Sequence, residues 1–306
     1  MQIQQALDEY EYAILQLSDC TQLWYRKRVG RFAFWCDANG FQLADLRPTH
    51  VARYLRELAT IPSETTGTLL STYTVNGHAR AIRTFLYWCA SDPQNYLPRS
   101  IPENLAMPKI QQKIIEVFSA QQIKALFLAC EKETSPLLVH RNKAILAVLI
   151  DTGIRAAELC TLTRQNVHIM AREGYIRVTG KGDKEREIPL GAKSRQLLHK
   201  WLSQYRHNQG SDYPEVFLNY RGEHLTPNGL DQMIYELADR ATITGVRCSA
   251  HTFRHTFALN FLMQGGDVYV LSRLMGHSSV QTTEVYLRAL KADQARKAGK
   301  SVLDNL

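Results

Sequence analysis

The chain has 306 residues, 45% hydrophobic and 22% charged, which is enough apolar material for two buried cores. No run approaches the roughly 18–20 uninterrupted apolar residues of a membrane span, and Met1–Glu9 has neither a basic nor an apolar leader region, so a cytoplasmic protein is expected. A net charge of +8 points to a polyanionic partner, whereas six cysteines without one Cys-x-x-Cys pair argue against a zinc framework or a disulfide scaffold and for buried, reduced thiols.

Residues 1–100 read as helical. Leu23, Tyr25 to Arg28, Phe32, Phe34 and Trp35 form an aromatic-rich helix stopped at Asn39-Gly40, its aromatics expected to pack in a core. Asp45-Leu46-Arg47-Pro48 opens a second helix, whose Val51, Tyr54, Leu55 and Leu58 fall at helical spacing. After a polar loop from Thr60 to Gly67, a long helix over Ser71–Ala90 turns Val75, Ile82, Phe85, Leu86 and Trp88 inward. Arg80 and Arg83 lie on another face, where solvation and phosphate contact are both open. Four prolines between Asp92 and Ile114 remove donors and break helices, which marks a linker and places the domain boundary near 108–114.

The second domain opens on Ser119-Ala120-Gln121-Gln122, a capping box, and continues into an apolar segment, Ala144–Ile150, that ends at Thr152-Gly153. Gly174–Thr179 and Arg186–Leu190 flank the turn Gly180-Lys181-Gly182-Asp183, a hairpin pattern; the rest reads as helix and loop. The expected fold is therefore mainly α with a small antiparallel sheet: a helical domain over 1–107, a linker over 108–114 and an α+β domain over 115–306, with a C-terminal helix at 289–306. Residues 1–110 hold 11 Lys and Arg against 10 Asp and Glu; residues 111–306 hold 26 against 19, so the electrostatic footprint lies mainly in the second part.

The chemistry-bearing side chains also cluster there. Phosphoryl transfer crowds negative charge onto non-bridging oxygens, and guanidinium forks suit that charge. Arg155, after Thr152-Gly153-Ile154, and Arg254, in His251-Thr252-Phe253-Arg254-His255, are the candidates; each alone is as readily a structural ion pair. His251 and Arg254 share a helix face. His255, four residues from His251, raises a helical metal pair, but Thr252 stands where a general-base glutamate would be, so His255 is expected to be packed or solvated and no metal or cofactor is expected. Lys181 at the hairpin tip could protonate a departing oxygen, with Lys184 as a competitor. Tyr286 is a candidate nucleophile that would need neighbouring cations, because a phenol's reference pKa is roughly 10.

The ordered series Thr-Gly-Ile-Arg155-x-x-Glu158-Leu, hairpin Lys181, His251-x-x-Arg254, Leu274-Met275-Gly276-His277-Ser278 and Tyr286 resembles the tyrosine recombinase family of phage-type integrases and Xer-like resolvases. The match spans the second domain, with 23 residues from Arg254 to His277 and nine more to Tyr286. The first domain is similar, more loosely, to the family's core-binding domain, including Tyr73–Asn76 ahead of Arg80. The resemblance implies that Arg155 and Arg254 hold the scissile phosphate, Lys181 protonates the leaving 5′-oxygen, and His251 and His277 bond the phosphate and assist proton movement. It also implies that Tyr286 forms a 3′-phosphotyrosine and that Glu158 buttresses the site. No metal or ATP is implied, since the covalent bond conserves the phosphodiester's free energy.

The implied partners are double-stranded recombination sites, clamped between the two domains, and three further copies in a tetramer coupled through the basic, weakly amphipathic tail after Tyr286. A chain that starts almost directly with core-binding helices favours an Xer-like two-domain plan. The alternatives are a non-catalytic DNA-binding accessory protein of the same fold and a type IB topoisomerase-like strand-passage enzyme. Integration, excision and dimer resolution share one chemistry and remain undivided.

Overall fold

The computed structural model describes residues 2–63, 67–110, 115–180, 184–206, 212–277 and 279–298. The chain divides into two compact units, Met1–Lys113 and Ile114–Leu306. No helix among the described residues is long and apolar enough to cross a membrane.

The first unit is built from α1 (Ile3–Ala13), α2 (Asp19–Ala38), α3 (Pro48–Thr60), α4 (Thr72–Cys89) and a single turn, α5 (Ser100–Glu103), inside the proline-rich stretch. Pro48 at the first turn of α3 forfeits only a donor that would have been unpaired, and the Ser71 hydroxyl caps α4 by accepting from the Thr74 amide. Val51, Tyr54, Leu55, Leu58, Ile82 and Phe85 are buried as the periodicity implies. Phe34 is not: it is 76% exposed, because α2 buries Val29, Phe32, Ala33 and Cys36, and a residue two positions from Phe32 falls on the opposite side of the helix. The six thiols are free, and the expectation of burial fails at Cys20, which is exposed, and in part at Cys248. Burial pushes the thiols of Cys36, Cys89, Cys130 and Cys160 up to about 12.

The second unit runs α6 (Ala120–Cys130), α7 (Pro136–Thr152), α8 (Ala156–Cys160), β1 (Val167–Ile169), β2 (Gly174–Thr179), β3 (Glu185–Pro189), α9 (Ala192–Lys200), α10 (Pro227–Arg240), α11 (Ala250–Met263), α12 (Val268–Met275) and α13 (Gln281–Ala298). Ser119 and Gln122 form the reciprocal capping box at α6. The sheet is antiparallel in the order β1-β2-β3, with Ile176 opposite Ile188; β1, three residues long, is one strand more than the hairpin pattern gave. α11 packs on α7 and on α13. The last described helix begins at Gln281, not 289, so Tyr286 lies within it; residues 299–306 of the expected C-terminal helix lie outside the described residues.

Candidate active site

Three backbone turns set the site. At the end of α7, Gly153 adopts φ 58°, a left-handed position that L side chains rarely take, and a Cβ there would lie 2.3 Å from the Phe257 ring. This tight glycine turns its carbonyl onto the Arg254 guanidinium and starts the short extended step Ile154-Arg155 that leads into α8. The second turn is the end of α12, where Gly276 is again left-handed at φ 63°, and the third starts α13.

Arg155 precedes α8. Its amide donates to Glu158 Oε2 (2.9 Å), its Nη1 to Glu158 Oε1 (2.7 Å) and its Nη2 to the Gly276 carbonyl (2.6 Å). Arg254 on α11 is 4% exposed; its Nη1 donates to the Gly153 carbonyl and its Nη2 to the Met275 carbonyl, both at 2.7 Å, and Nη2 lies 2.9 Å from His277 Nε2. A guanidinium only donates, so His277 Nε2 is the acceptor, and its Nδ1–H points at Thr283 Oγ1, 2.7 Å away. The two arginines thus grip the successive carbonyls of Met275 and Gly276 and are held side by side, each with N–H donors to spare.

Arg186 of β3 completes the frame. Its Nη1 and Nη2 clamp Glu158 Oε1 and Oε2 at 3.0 and 2.8 Å, and its Nε donates to the Leu274 carbonyl at 2.7 Å. Burial works to raise the Glu158 carboxyl, but bonds from Arg186 and from the Arg155 amide and guanidinium outweigh it and hold Glu158 at about 2. Burial, with Arg155 nearby, lowers Arg254 to about 10, which leaves it charged at neutral pH.

Tyr286 is 5% exposed, its ring in a cluster with Ala258, Leu262, Leu271 and Met275. Its hydroxyl lies 2.9 Å from His255 Nδ1, one residue beyond Arg254 on α11. Burial raises the phenol's pKa, and the Arg254 charge acts on it in the opposite sense. Arg155, Glu158, Arg254 and His277 are therefore brought into one network, and Tyr286 reaches its edge through His255. His251 is not joined to either arginine by a hydrogen bond among the described residues; its ring meets His255 edge-on, with centroids 4.2 Å apart. Lys181 lies outside the described residues, and Lys184 is exposed. In the other unit Arg80 is exposed, while Arg83 rests over the Tyr87 ring, 5.5 Å from its centroid.

The profile of the phage integrase family matches residues 116–293, more than half of the chain. The chain belongs to the phage integrase family. Tyrosine recombinase XerD of Chlorobaculum tepidum is 29% identical over 271 residues, 87% of this chain and 84% of that protein. Tyrosine recombinase XerC of Staphylococcus aureus is 33% identical over 207 residues, 67% of this chain and 66% of that protein. The crystal structure of XerH site-specific recombinase bound to palindromic difH substrate, a post-cleavage complex, aligns with a TM-score of 0.74 at 21% identity, covering 95% of this chain and 83% of that one. The Tn1549 transposon integrase in complex with a circular intermediate DNA aligns with a TM-score of 0.74 at 16% identity, covering 97% and 99%. At these identities the structural likeness concerns the fold, which is that of tyrosine recombinases. The protein is an enzyme of that class.

Arg186 escapes the sequence reading, and His255, expected to be packed or solvated, is packed against His251 with Tyr286 as its hydrogen-bond partner. Arg186 could have been found from strand alternation, which places it on the face of β3 that carries buried Ile188. His255 stands one helical turn after His251, a spacing that fits a partner on α13 as well as it fits a metal.

Burial and the arginines hold His277 at about 4, against an ordinary 6.5; burial, then His251 and Arg254, hold His255 at about 4 as well. Both are neutral when folded and bind protons more readily when unfolded, so unfolding takes up protons between pH 6.5 and 4 and stability declines as pH falls through that window. Urea titrations at pH 7 and pH 5 should differ by about 1–3 kcal/mol, lower at pH 5. Equal stability at the two values would show that the pair is not held neutral.

Proposed function

We propose that the protein is a site-specific DNA recombinase that cuts and rejoins strands through a covalent 3′-phosphotyrosine at Tyr286. Arg155 and Arg254 hold the scissile phosphate by donating the N–H groups that the carbonyls leave free. His277 and His251 bond the same phosphate, Lys181 protonates the leaving 5′-oxygen, and Glu158 fixes Arg155. Residues 115–306 form the catalytic domain. Residues 1–107 form a core-binding domain that brings Arg80 and Arg83 to the DNA backbone, and 108–114 link the two. The active assembly is a tetramer on paired duplex sites, coupled through the C-terminal helix.

The observation that carries this reading is the seating of both guanidiniums on the adjacent carbonyls of Met275 and Gly276, with the Tyr286 hydroxyl bonded to the residue that follows Arg254. Two permanent cations on neighbouring carbonyls, with a buried phenol close enough for the Arg254 charge to act on it, support this reading. XerC and XerD relatives and solved recombinases bound to DNA recombination sites support the same activity. Neither a binding-only accessory role nor strand passage without exchange is favoured by any contact in the site.

A nicked suicide duplex carrying candidate sites, run on a denaturing gel, tests the chemistry. Wild-type protein should form a protein–DNA adduct, undiminished in EDTA because the guanidiniums meet the charge a metal would otherwise offset. Tyr286→Phe should form none. An adduct of equal yield in Tyr286→Phe would sink the proposal.

A further inference from the structure

We infer that His255 orients the Tyr286 hydroxyl and receives its proton during cleavage, which makes it a catalytic residue beside the phosphate-holding set. The inference rests on Tyr286 being the nucleophile.

The hydroxyl and His255 Nδ1 are 2.9 Å apart, a hydrogen-bond distance for an O–H donor and an imidazole acceptor. Tyr286 Oη has no other hydrogen-bond partner among the described residues, and in the tautomer that carries the His255 proton on Nε2 the phenol donates to Nδ1. At 5% exposure, inside an apolar cluster, the phenol has little access to bulk water as a base, and the proton requires a local acceptor.

The acceptor is held in place from two sides. The His251 ring meets it edge-on at 4.2 Å, and the Tyr286 ring lies at 5.5 Å with an interplanar angle of 60°. Because His255 follows Arg254 on α11, the backbone fixes the separation between the proton acceptor and the cation that grips the phosphate. The titratable and charged groups acting on His255 are His251 and Arg254 of its own helix and the phenol of Tyr286 from α13. Burial and those two neighbours keep its imidazole neutral at working pH, so one ring nitrogen is left to accept a proton. The phenol's own pKa is raised by burial, so no phenolate waits at neutral pH and deprotonation accompanies attack.

The step balances as follows. The Tyr286 Oη–H bond breaks while the Oη–P bond forms, and the proton passes to His255 Nδ1. The P–O5′ bond breaks, and the 5′-oxygen takes a proton from Lys181, the proposed acid. Ligation runs the same transfers backward, and His255 returns the proton to the phenol.

Single-turnover adduct formation on the suicide duplex, followed from pH 6 to pH 9.5 alongside filter binding, tests the role. His255→Ala should slow cleavage about 10²-fold at neutral pH, the usual scale of general-base help, with DNA affinity unchanged. The wild-type to variant rate ratio should shrink about tenfold per pH unit as hydroxide replaces the missing base, and added imidazole should restore part of the His255→Ala rate. His255→Gln keeps a hydrogen-bond acceptor that cannot take the proton, and it should show the same pH response even if the alanine variant folds poorly. A wild-type rate in His255→Gln, or a deficit constant across pH and deaf to imidazole, would overturn the inference while leaving Tyr286 as nucleophile. An adduct in Tyr286→Phe would instead overturn the reading beneath it.

Discussion

Replacing Arg254 with alanine is expected to cut the rate of DNA cleavage by about 10³–10⁵-fold, the scale on which a guanidinium stabilises charge in phosphoryl transfer. The loss has two parts that separate experimentally. In the proposed mechanism, chemistry loses a donor to the non-bridging oxygens. Folding loses the bonds to the Gly153 and Met275 carbonyls, at 2.7 Å each, and to His277 Nε2 at 2.9 Å. With Arg254 only 4% exposed, the abandoned carbonyls stay buried, at a cost of about 1–3 kcal/mol each. Arg254→Lys should rescue little of either part, because an ammonium cannot span three acceptors set out for a planar fork. Single-turnover cleavage and urea denaturation on the same preparations check both. A lysine variant with near wild-type cleavage would show that charge alone, without the fork, is what the site requires.

Glu158→Gln should destabilise the fold by about 3–5 kcal/mol, the penalty for breaking a buried ion pair from one side. The change is nearly isosteric, so packing is not what is lost. The Glu158 side chain is 9% exposed and Arg186 11%, and the carboxylate accepts from both arginines and from the Arg155 amide. An amide can accept at one end only, and its NH2 group would face a guanidinium. Two cations would then remain with half a partner between them. Because Glu158 sits at about 2 when folded, against an ordinary 4.5, the wild-type contribution is complete above pH 4.5 and disappears as pH falls toward 2, whereas the glutamine variant lacks that acid-sensitive component. Denaturation midpoints at pH 7 and pH 3 measure it. A loss below 1 kcal/mol at pH 7 would mean the triad is solvated well enough to be dispensable.

The architecture was legible where local chemistry is strong. Pro48, Ser71, Ser119 and the Thr152-Gly153 stop each mark a helix boundary through a donor satisfied or removed, and each boundary is found within a residue or two. Arg155, Arg254, His277 and Tyr286 were legible as an ordered set, although no one of them stands out by itself. What stayed hidden depends on tertiary contacts. Three-residue β1 is too short to show alternation, and its pairing with β2 is supplied by the sheet. The start of α13 at Gln281 was missed because its apolar residues are sparse; Thr283 and Tyr286 are buried by α11 and α12, not by a continuous stripe. Phe34 looked like core by type but stands on the wrong side of α2. Strand alternation marks Arg186 as inward-facing, but its partner Glu158 lies 28 residues upstream, and the partner of His255, Tyr286, lies 31 residues downstream, so neither pairing is local.

The closing carbonyls of α12 have a practical consequence. A helix ordinarily leaves its last carbonyls to water or to a capping turn; here those of Leu274, Met275 and Gly276 are finished by Arg186, Arg254 and Arg155. The bonds that terminate a secondary-structure element are therefore the same bonds that aim the cations. Arginine substitutions therefore disturb the helix end whatever else they change, so a trap for the proposed intermediate is better made at Tyr286, whose hydroxyl bonds none of these carbonyls.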